Sequence, residues 1–345
     1  MPDSPLPSPP VRGDALERQL AAQKARRTGD PLLSLVVPVF NEEESIDVFL
    51  DAVVPLLERD RLRFEIVFVN DGSRDNTLTH LLDCSGRDRR LRIVNLSRNF
   101  GKEAALTAGI DHAKGDVLVP MDIDLQDPPE LIEPFIARWR EGYDIVYGVR
   151  TTRPWDTAAK RLSAAWFYRA FNSMSPVRIP TNVGDFRLVD RRAAEVLRQL
   201  PERNRFMKGL FAWVGFNATG VPYERAQRAA GSSKFDLWRL WNFALDGVVS
   251  FSTVPLRASF YVGLAIAAVA VLYALFIVSR VLIFGIDTPG YASLIIVVLL
   301  MGAIQLVSVG IIGEYLGRLF LEVKARPIYV VEGVYEDGAV RPPQA

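Results

Sequence analysis

The chain has 345 residues, 49% hydrophobic and 23% charged, with a formal net charge of +1. That length accommodates one α/β domain and a further segment, while the single cysteine, Cys84, excludes an internal disulfide framework and fits a reducing compartment. The near-zero balance hides an asymmetry, because Gly148 to Lys234 carries sixteen Lys/Arg against six Asp/Glu. Such an excess is either a solvated surface or a patch for an anionic partner, meaning phosphate, anionic lipid or nucleic acid.

Residues 1–30 are Pro-rich and then charged, without an apolar h-region, so no signal peptide is expected. Met1–Gly13 reads as a disordered tail and Asp14–Arg27 as a short surface helix. Leu33–Val39 is an apolar, β-rich run, and Asn41 after it is placed to cap a helix carrying Ile46, Phe49, Leu50, Val53 and Leu57 at helical spacing. Phe64–Val69 is a second strand ending in Asn70-Asp71-Gly72-Ser73, with Asp75 capping the next helix. Leu91–Leu96 is a third, followed by Lys102 and a helix over Glu103–Ala113. Strands alternating with helices imply a parallel, doubly wound sheet. The glycine-rich dinucleotide fingerprint is absent after the first strand, which argues against a dehydrogenase.

The fourth strand, Gly115–Pro120, delivers Met121-Asp122-Ile123-Asp124-Leu125-Gln126-Asp127-Pro128-Pro129-Glu130 to the sheet edge. Alternate residues of extended backbone share a face, so Asp122 and Asp124 can point at one ion. Two hard carboxylates suit Mg²⁺ or Mn²⁺ bridging to substrate phosphates; an acidic loop capping the helix at Pro129 is the plain alternative. Asn41 and Glu42, Asp71, Lys102, and the Asp122/Asp124 pair all fall at strand ends, where one crevice holds them. Asp71 fits either a nucleobase imide or simple turn chemistry.

Beyond the strand Tyr143–Val149 and Arg150, Ala158–Phe171 interleaves Lys160, Arg161 and Arg169 with aromatics, as an interfacial helix does. Asn182–Leu188 reads as a loop offering Asp185 and Arg187 together, and Arg191–Leu200 and Arg203–Val214 as short helices. Phe235–Phe251 is amphipathic with Trp238 and Trp241, fitting an interfacial helix or a core-packed one. Ala258–Ser279 and Tyr291–Gly313 are uncharged and each long enough to span a hydrocarbon core. Arg257, Arg318, Lys324 and Arg326 flank this hairpin against Arg280 near its loop, so the positive-inside rule puts the main domain and both termini in the cytoplasm. Pro327–Val334 is a terminal strand, packing on its own domain or on a neighbouring subunit.

Pro38-Val39-Phe40-Asn41-Glu42-Glu43, Asn70-Asp71-Gly72-Ser73, the Asp122–Glu130 run, Gly184-Asp185-Phe186-Arg187, Arg203-Asn204-Arg205-Phe206, Gly231-Ser232-Ser233-Lys234 and Gly313-Glu314-Tyr315-Leu316-Gly317-Arg318 occur in this order. Together they resemble the family 2 inverting glycosyltransferases acting on polyprenyl phosphates, especially bactoprenol glucosyltransferases, which are related to dolichol-phosphate mannose synthases. The likeness runs from about Leu33 to Tyr335; Ile123 departs from the family's usual Ala. It implies a GT-A nucleotide-sugar-binding, Rossmann-like α/β domain with interfacial amphipathic helices and a C-terminal two-helix transmembrane hairpin. The expected divisions are a tail at 1–30, the transferase domain at 31–233, an interfacial helix at 234–255, two transmembrane helices within 256–317 (about 258–280 and 291–313), and a cytoplasmic strand and tail at 318–345.

The resemblance also implies a UDP-sugar donor, Mg²⁺ or Mn²⁺, an undecaprenyl phosphate acceptor at the inner membrane, and cell-envelope glycan modification such as that of lipopolysaccharide. Nucleotide-sugar contacts fall on Pro38, Asn41, Glu42, Asp71, Lys102 and Asp122. Metal contacts fall on Asp122, Asp124 and Gln126, and catalysis on Asp185 and Asp124. Donor or acceptor phosphate contacts fall among Arg150, Lys160, Arg187, Arg205, Arg228 and Lys234. A homotetramer is the expected assembly and nucleic acid is not an expected partner. Two rival readings are a processive polysaccharide synthase, whose Gln-x-x-Arg-Trp motif would need Gln where Phe135 precedes Arg138-Trp139, and a catalytically inactive membrane scaffold.

Overall fold

The computed structural model describes residues 27–151, 183–203, 205–224, 252–284, 290–336 and 339–341. The expected helices at 158–171 and 235–251, with Lys160, Arg228 and Lys234, lie outside these. From β1 (Leu32–Val39) the chain alternates through α1 (Ser45–Arg59), β2 (Arg63–Asn70), α2 (Thr77–Arg87), β3 (Leu91–Leu96), α3 (Lys102–His112) and β4 (Val117–Pro120). A central parallel strand is covered on both faces and reads as a continuous apolar run. In β1, Leu33, Leu35, Val37 and Val39 enter one core cluster while Val36 enters another. Close contact of α3 with β1 requires Gly109, where a Cβ would come within 2.2 Å of the Val36 side chain.

The chain continues through α4 (Ile132–Arg140), β5 (Ile145–Arg150), β6 (Val183–Asp190), α5 (Arg191–Gln199), α6 (Met207–Trp213) and β7 (Ala218–Tyr223). After two long helices, α7 (Val254–Phe284) and α8 (Tyr291–Val323), it ends in β8 (Val331–Glu336) and β9 (Ala339–Arg341). Among the described residues one sheet results, in the order β7-β5-β6-β4-β1-β2-β3-β8-β9. The sheet is mixed, which corrects the all-parallel expectation. β1–β4 are mutually parallel, but β6 runs antiparallel to both β4 and β5. Residues 182–188, expected as a loop, mostly belong to β6, whose residues are buried throughout except Asp185. β8 pairs antiparallel with β3 of its own chain, so of the two alternatives for the terminal strand the domain itself is the partner.

Three further expectations change. Asn41 does not cap α1; it sits at φ 53°, its side chain accepts from the Arg74 N–H at 2.8 Å, and the helix opens after Glu44. The helix expected over 203–214 is confined to Met207–Trp213. Arg27, expected on a surface helix outside the domain, is buried: it donates to the Trp139 carbonyl at 2.9 Å and pairs with Asp144 at 2.5 Å. The surrounding Trp139 indole donates to Asp190 at 2.7 Å, and Asp190 in turn caps α5.

α7 and α8 contain stretches of mean hydropathy 1.8 (Leu256–Tyr273) and 1.5 (Leu300–Val323), and neither stretch is buried inside the protein. Side chains such as Phe260, Leu272, Leu306 and Val309 are more than half exposed along them. Apolar exposure on this scale calls for a non-aqueous surrounding. The start of α7 is tied to α8, and the end of α8 and the strand after it are tied to the domain. The Tyr315 hydroxyl donates to the Ser252 carbonyl at 2.6 Å, the Arg203 N–H donates to Glu322 at 2.9 Å, and Asn95 donates to Glu332 at 2.8 Å.

Candidate active site

In the order β3-β2-β1-β4 the chain reverses direction across the sheet between β1 and β4, and ligands of open α/β sheets bind outside the strand ends at that point. The rim there is shaped by side chains that satisfy its own loops. Asp71, buried after β2, accepts from the Phe100 N–H at 2.7 Å and the Gly101 N–H at 2.9 Å. Burial raises its pKa, and those two N–H groups and the Arg98 charge offset part of the rise. Gly72 makes this contact possible: at φ +64° a Cβ would lie 2.3 Å from the Arg98 carbonyl carbon. The Glu42 N–H donates to Thr77 at 3.0 Å, and the Glu42 carboxylate accepts from Ser45 at 2.7 Å. Pro38 belongs to β1 beside Val69 of β2.

Asp71 thereby holds the loop that launches Lys102, and Lys102 is the centre of the charge cluster. Its ammonium lies 2.7 Å from Asp122 and 3.2 Å from Asp185, and Lys208 of α6 approaches Asp185 at 3.8 Å. Topology explains the convergence. β6 pairs with β4 in the register Val117↔Asp190 and Leu118↔Val189, and the same antiparallel register carried onward sets Asp185 opposite Asp122. Burial would raise the Asp185 pKa, but the charges of Lys208, Lys102 and Arg187 outweigh it and hold the carboxyl well below the usual range. Burial raises Asp122, with Lys102 offsetting part of the effect. Burial would lower Lys102, yet Asp185 and Asp122 raise it, so it stays an ammonium. Glu103, next in sequence, is pushed up to about 7 by burial and then by the Asp185 charge.

Asp124 follows on a sharp bend, with Leu125 at φ 53° and the Gln126 N–H donating to Asp124 at 3.2 Å. Positive φ at a bulky residue is strained and often marks a functional turn. Ile123 points the other way, into the core. Behind the bend, the Arg150 Nε donates to the Tyr223 hydroxyl at 3.0 Å, and that hydroxyl donates to the buried Asp127. Burial and the Asp127 charge push Tyr223 up to about 12. Arg150 therefore reaches the rim of the acidic loop, with its guanidinium 3.6 Å from Asp127.

Two residues expected to contact phosphate also bond to the protein itself. Arg187 donates to the Gly184 carbonyl at 2.7 Å and stacks 4.2 Å from the Phe211 ring. Arg205 is buried against the C-terminal end of α5, donating to the Leu200 carbonyl at 2.7 Å and the Leu197 carbonyl at 3.3 Å. Residue reading missed Lys208, Glu103, Asp127 and Tyr223. Asp127 lay within the quoted Asp122–Glu130 run and Lys208 two residues beyond Phe206, whereas no local pattern marks Tyr223.

The donor chemistry for a hard divalent cation is present at Asp122, Asp124 and Gln126, and the approach of the Lys102 ammonium demonstrates that Asp122 and Asp185 attract positive charge. A second set of ligand atoms, from Asp47, His80 and Cys84, lies within 4.8 Å of one another. It includes a soft thiol and none of the predicted residues, so it is not the Mg²⁺/Mn²⁺ candidate.

A family model described as Glycosyl transferase family 2 matches residues 34–198. An uncharacterized glycosyltransferase of Synechocystis sp. is 50% identical over 303 residues, covering 88% of this chain and 95% of the relative. The bactoprenol glucosyl transferase of Shigella phage SfII is 47% identical over 300 residues, covering 87% and 97%. Among solved structures, a mannosyltransferase from Pyrobaculum calidifontis in complex with GDP-Man and Mn²⁺ matches at 16% identity with a TM-score of 0.45, covering 90% of this chain and 93% of that one. The departure of Ile123 and the turning of β6 leave the ordered motifs intact, and a chain half identical to a glycosyltransferase over nearly its whole length belongs, with its GT-A fold, to glycosyltransferase family 2.

Proposed function

We propose that this enzyme moves glucose from UDP-glucose to undecaprenyl phosphate at the cytoplasmic face of the membrane, with inversion at the sugar, for modification of a cell-envelope glycan. The observation that carries this reading is the meeting of Asp122, just past β4, and Asp185 of the antiparallel β6 around one cationic side chain at the switch point of the sheet. The 47% identity to bactoprenol glucosyl transferases supports the lipid acceptor and the sugar. The exposed apolar helices support its delivery from a bilayer. Return of β8 to β3 after α8 keeps that end of the helix pair beside the transferase domain, and the Tyr315–Ser252 bond keeps the start of α7 near the same end of α8, which supports both termini in the cytoplasm. A homotetramer remains the proposed assembly.

The acceptor is a phosphate monoester with a second pKa near 6, so its attacking oxygen is mostly deprotonated at neutral pH. A carboxyl held well below the usual range, as Asp185 is, is a weak base for whatever proton the acceptor retains. As a weak base facing an acceptor that has already lost its proton, Asp185 is assigned the task of orienting the acceptor and steadying positive charge at the anomeric carbon. Asp71 and the rim bonds at Asn41 and Glu42 keep the nucleotide cleft in one shape, while Lys102, Lys208 and Arg150 offer positive charge to the phosphates. Mg²⁺ or Mn²⁺ bound at Asp122, Asp124 and Gln126 would supply neutralisation of the departing diphosphate.

The test is to incubate detergent-purified protein with undecaprenyl phosphate, Mn²⁺ or Mg²⁺, and a panel of UDP-sugars, following lipid-linked product by mass spectrometry. Product from UDP-glucose, abolished by EDTA, is the expected result. Product from another donor alone would replace glucose, and UDP binding without product from any donor would sink the acceptor assignment.

A further inference from the structure

A second concave site lies outside the cleft. Where α8 ends and the chain turns back toward β8, a cavity of about 620 Å³ is lined by Arg203, Glu314, Arg318, Phe320, Lys324 and Arg326, among others. None of Lys102, Asp122, Asp124, Asp185 or Lys208 lines it. Its size falls in the usual range for bound small molecules. Arg318 pairs with Glu314 at 2.7 Å, which balances one charge of each sign. Arg203, Lys324 and Arg326 then leave a positive rim, with the Lys324 ammonium 4.1 Å from the Phe320 ring.

Depth along the helix is informative. α8 has 33 residues, about 50 Å of helix, against a hydrocarbon core of about 30 Å. Its residues from Tyr291 to Gly313 are uncharged, and charge begins at Glu314. With the uncharged part filling the core, the cavity sits at the level of the lipid phosphates, on the side where basic residues gather. The apolar side chains Leu316, Leu319, Phe320 and Leu321 around it are more than half exposed, so an acyl chain can lie beside the helix while a headgroup enters the cavity. The Arg203 N–H is bonded to Glu322 of α8, so the cavity wall joins the transferase domain to the membrane helix.

We propose that this cavity holds the phosphate headgroup of a resident anionic phospholipid, separate from the acceptor, which clamps the end of α8 to the transferase domain. The proposal rests on the membrane-spanning reading of α7 and α8. Charge complementarity selects an anionic headgroup over a zwitterionic one, since basic pockets beside transmembrane helices recognise such lipids. The acceptor is disfavoured here, because its phosphate must reach the sugar at Asp122 and Asp185, and this cavity shares no residue with that cluster.

The experiment is native mass spectrometry of the full chain, delipidated in detergent and titrated with phosphatidylglycerol or phosphatidylcholine. One phosphatidylglycerol should be retained about tenfold more tightly than phosphatidylcholine. The triple variant Arg203→Gln/Lys324→Gln/Arg326→Gln should lose that preference. A control removing the same charge from exposed sites of the domain, Arg59→Gln/Arg63→Gln/Arg140→Gln, should keep it. Should the triple variant misfold, the exposed single change Arg326→Gln should still weaken the preference measurably. Equal retention of the two lipids, or a preference unchanged in the cavity variants, would overturn the proposal. Stoichiometric displacement of phosphatidylglycerol by undecaprenyl phosphate would overturn it in favour of an acceptor site. Extraction of the chain from membranes by alkaline carbonate would remove the spanning reading and this site with it, while leaving sugar transfer in the cleft to be judged by its own assay.

Discussion

The two sides of the sheet use polar residues in opposite ways. On the parallel side, β1 to β4, the side chains at strand ends are spent largely on holding their own loops: Asp71 on the Phe100 and Gly101 N–H groups, Asn41 on the Arg74 N–H, and Glu42 on the Ser45 hydroxyl. On the antiparallel flank, β5 to β7, charge meets charge or a phenol: Asp185 meets Lys102 and Lys208, and Arg150 meets Tyr223 and Asp127. The first side makes a rigid rim and the second supplies the field across it. Catalysis by preorganised charge needs both, since a field helps only if the groups carrying it are held in place.

Five measurements bear on that division. Asp124→Ala removes a carboxylate from the acidic bend and should lower turnover by about 10³-fold or more, read as lipid-linked product. Survival of most activity would mean the bend is a cap and not a cation site. Arg27→Ala tests the flank's foundation: it removes the nearest cation from Asp144, whose side chain is 9% exposed and keeps Arg192 at 4.0 Å, and should cost about 3 kcal/mol in denaturant unfolding. Activity of the surviving folded fraction should stay near normal.

Asp185→Asn keeps the shape and removes the charge. Turnover should fall about 10²-fold or more with no recovery at high pH. Recovery at high pH would restore the case for a general base. Asp71→Asn acts on the rim, replacing one of two carboxylate acceptors with an amide donor facing an N–H. It should cost about 1.5–3 kcal/mol of stability and raise KM for the nucleotide sugar more than it lowers kcat. Loss confined to kcat would move Asp71 into the charge cluster.

The smallest expected effect concerns Glu103, raised from 4.5 to about 7 in the folded chain. The folded state then holds this proton more tightly than the unfolded one, so stability falls as pH rises from about 4.5 through about 7. Glu103→Gln should flatten that part of a thermal-stability profile taken from pH 5 to 8. An unchanged slope would remove Glu103 from the cluster that surrounds Asp185.

Much of the parallel side was legible from residues alone. An apolar run such as Leu33–Val39 followed by helical spacing at Ile46, Phe49 and Val53 reports a buried strand and its covering helix through local periodicity. Polar residues at four successive strand ends then imply a crevice without any coordinates. The motif marks Asp185, but its backbone reads as a loop, because a strand containing Gly184, Asp185 and Arg187 lacks the apolar signature of β1. Its pairing partner, β4, lies about seventy residues away, and local pattern carries no information on strand direction. The same limit hides the contacts of Arg187 and Arg205: a basic stretch does not show that a guanidinium also bonds a carbonyl or stacks on a ring. Arg27 was misplaced because its partners, Trp139, Asp144 and Asp190, are more than a hundred residues distant.

The sequence by itself determined the class of fold, the row of polar strand ends, the acidic pair after β4 and the two apolar helices, since each of these follows from composition and spacing within a short window. Tertiary structure alone decided that β6 runs against β4, that Lys102 and Lys208 close on Asp185, that Tyr223 backs the acidic bend, and that β8 returns to β3. Those are pairings between distant segments, set by sheet register and by the need to satisfy buried charge, and neither is written in any one stretch of the chain.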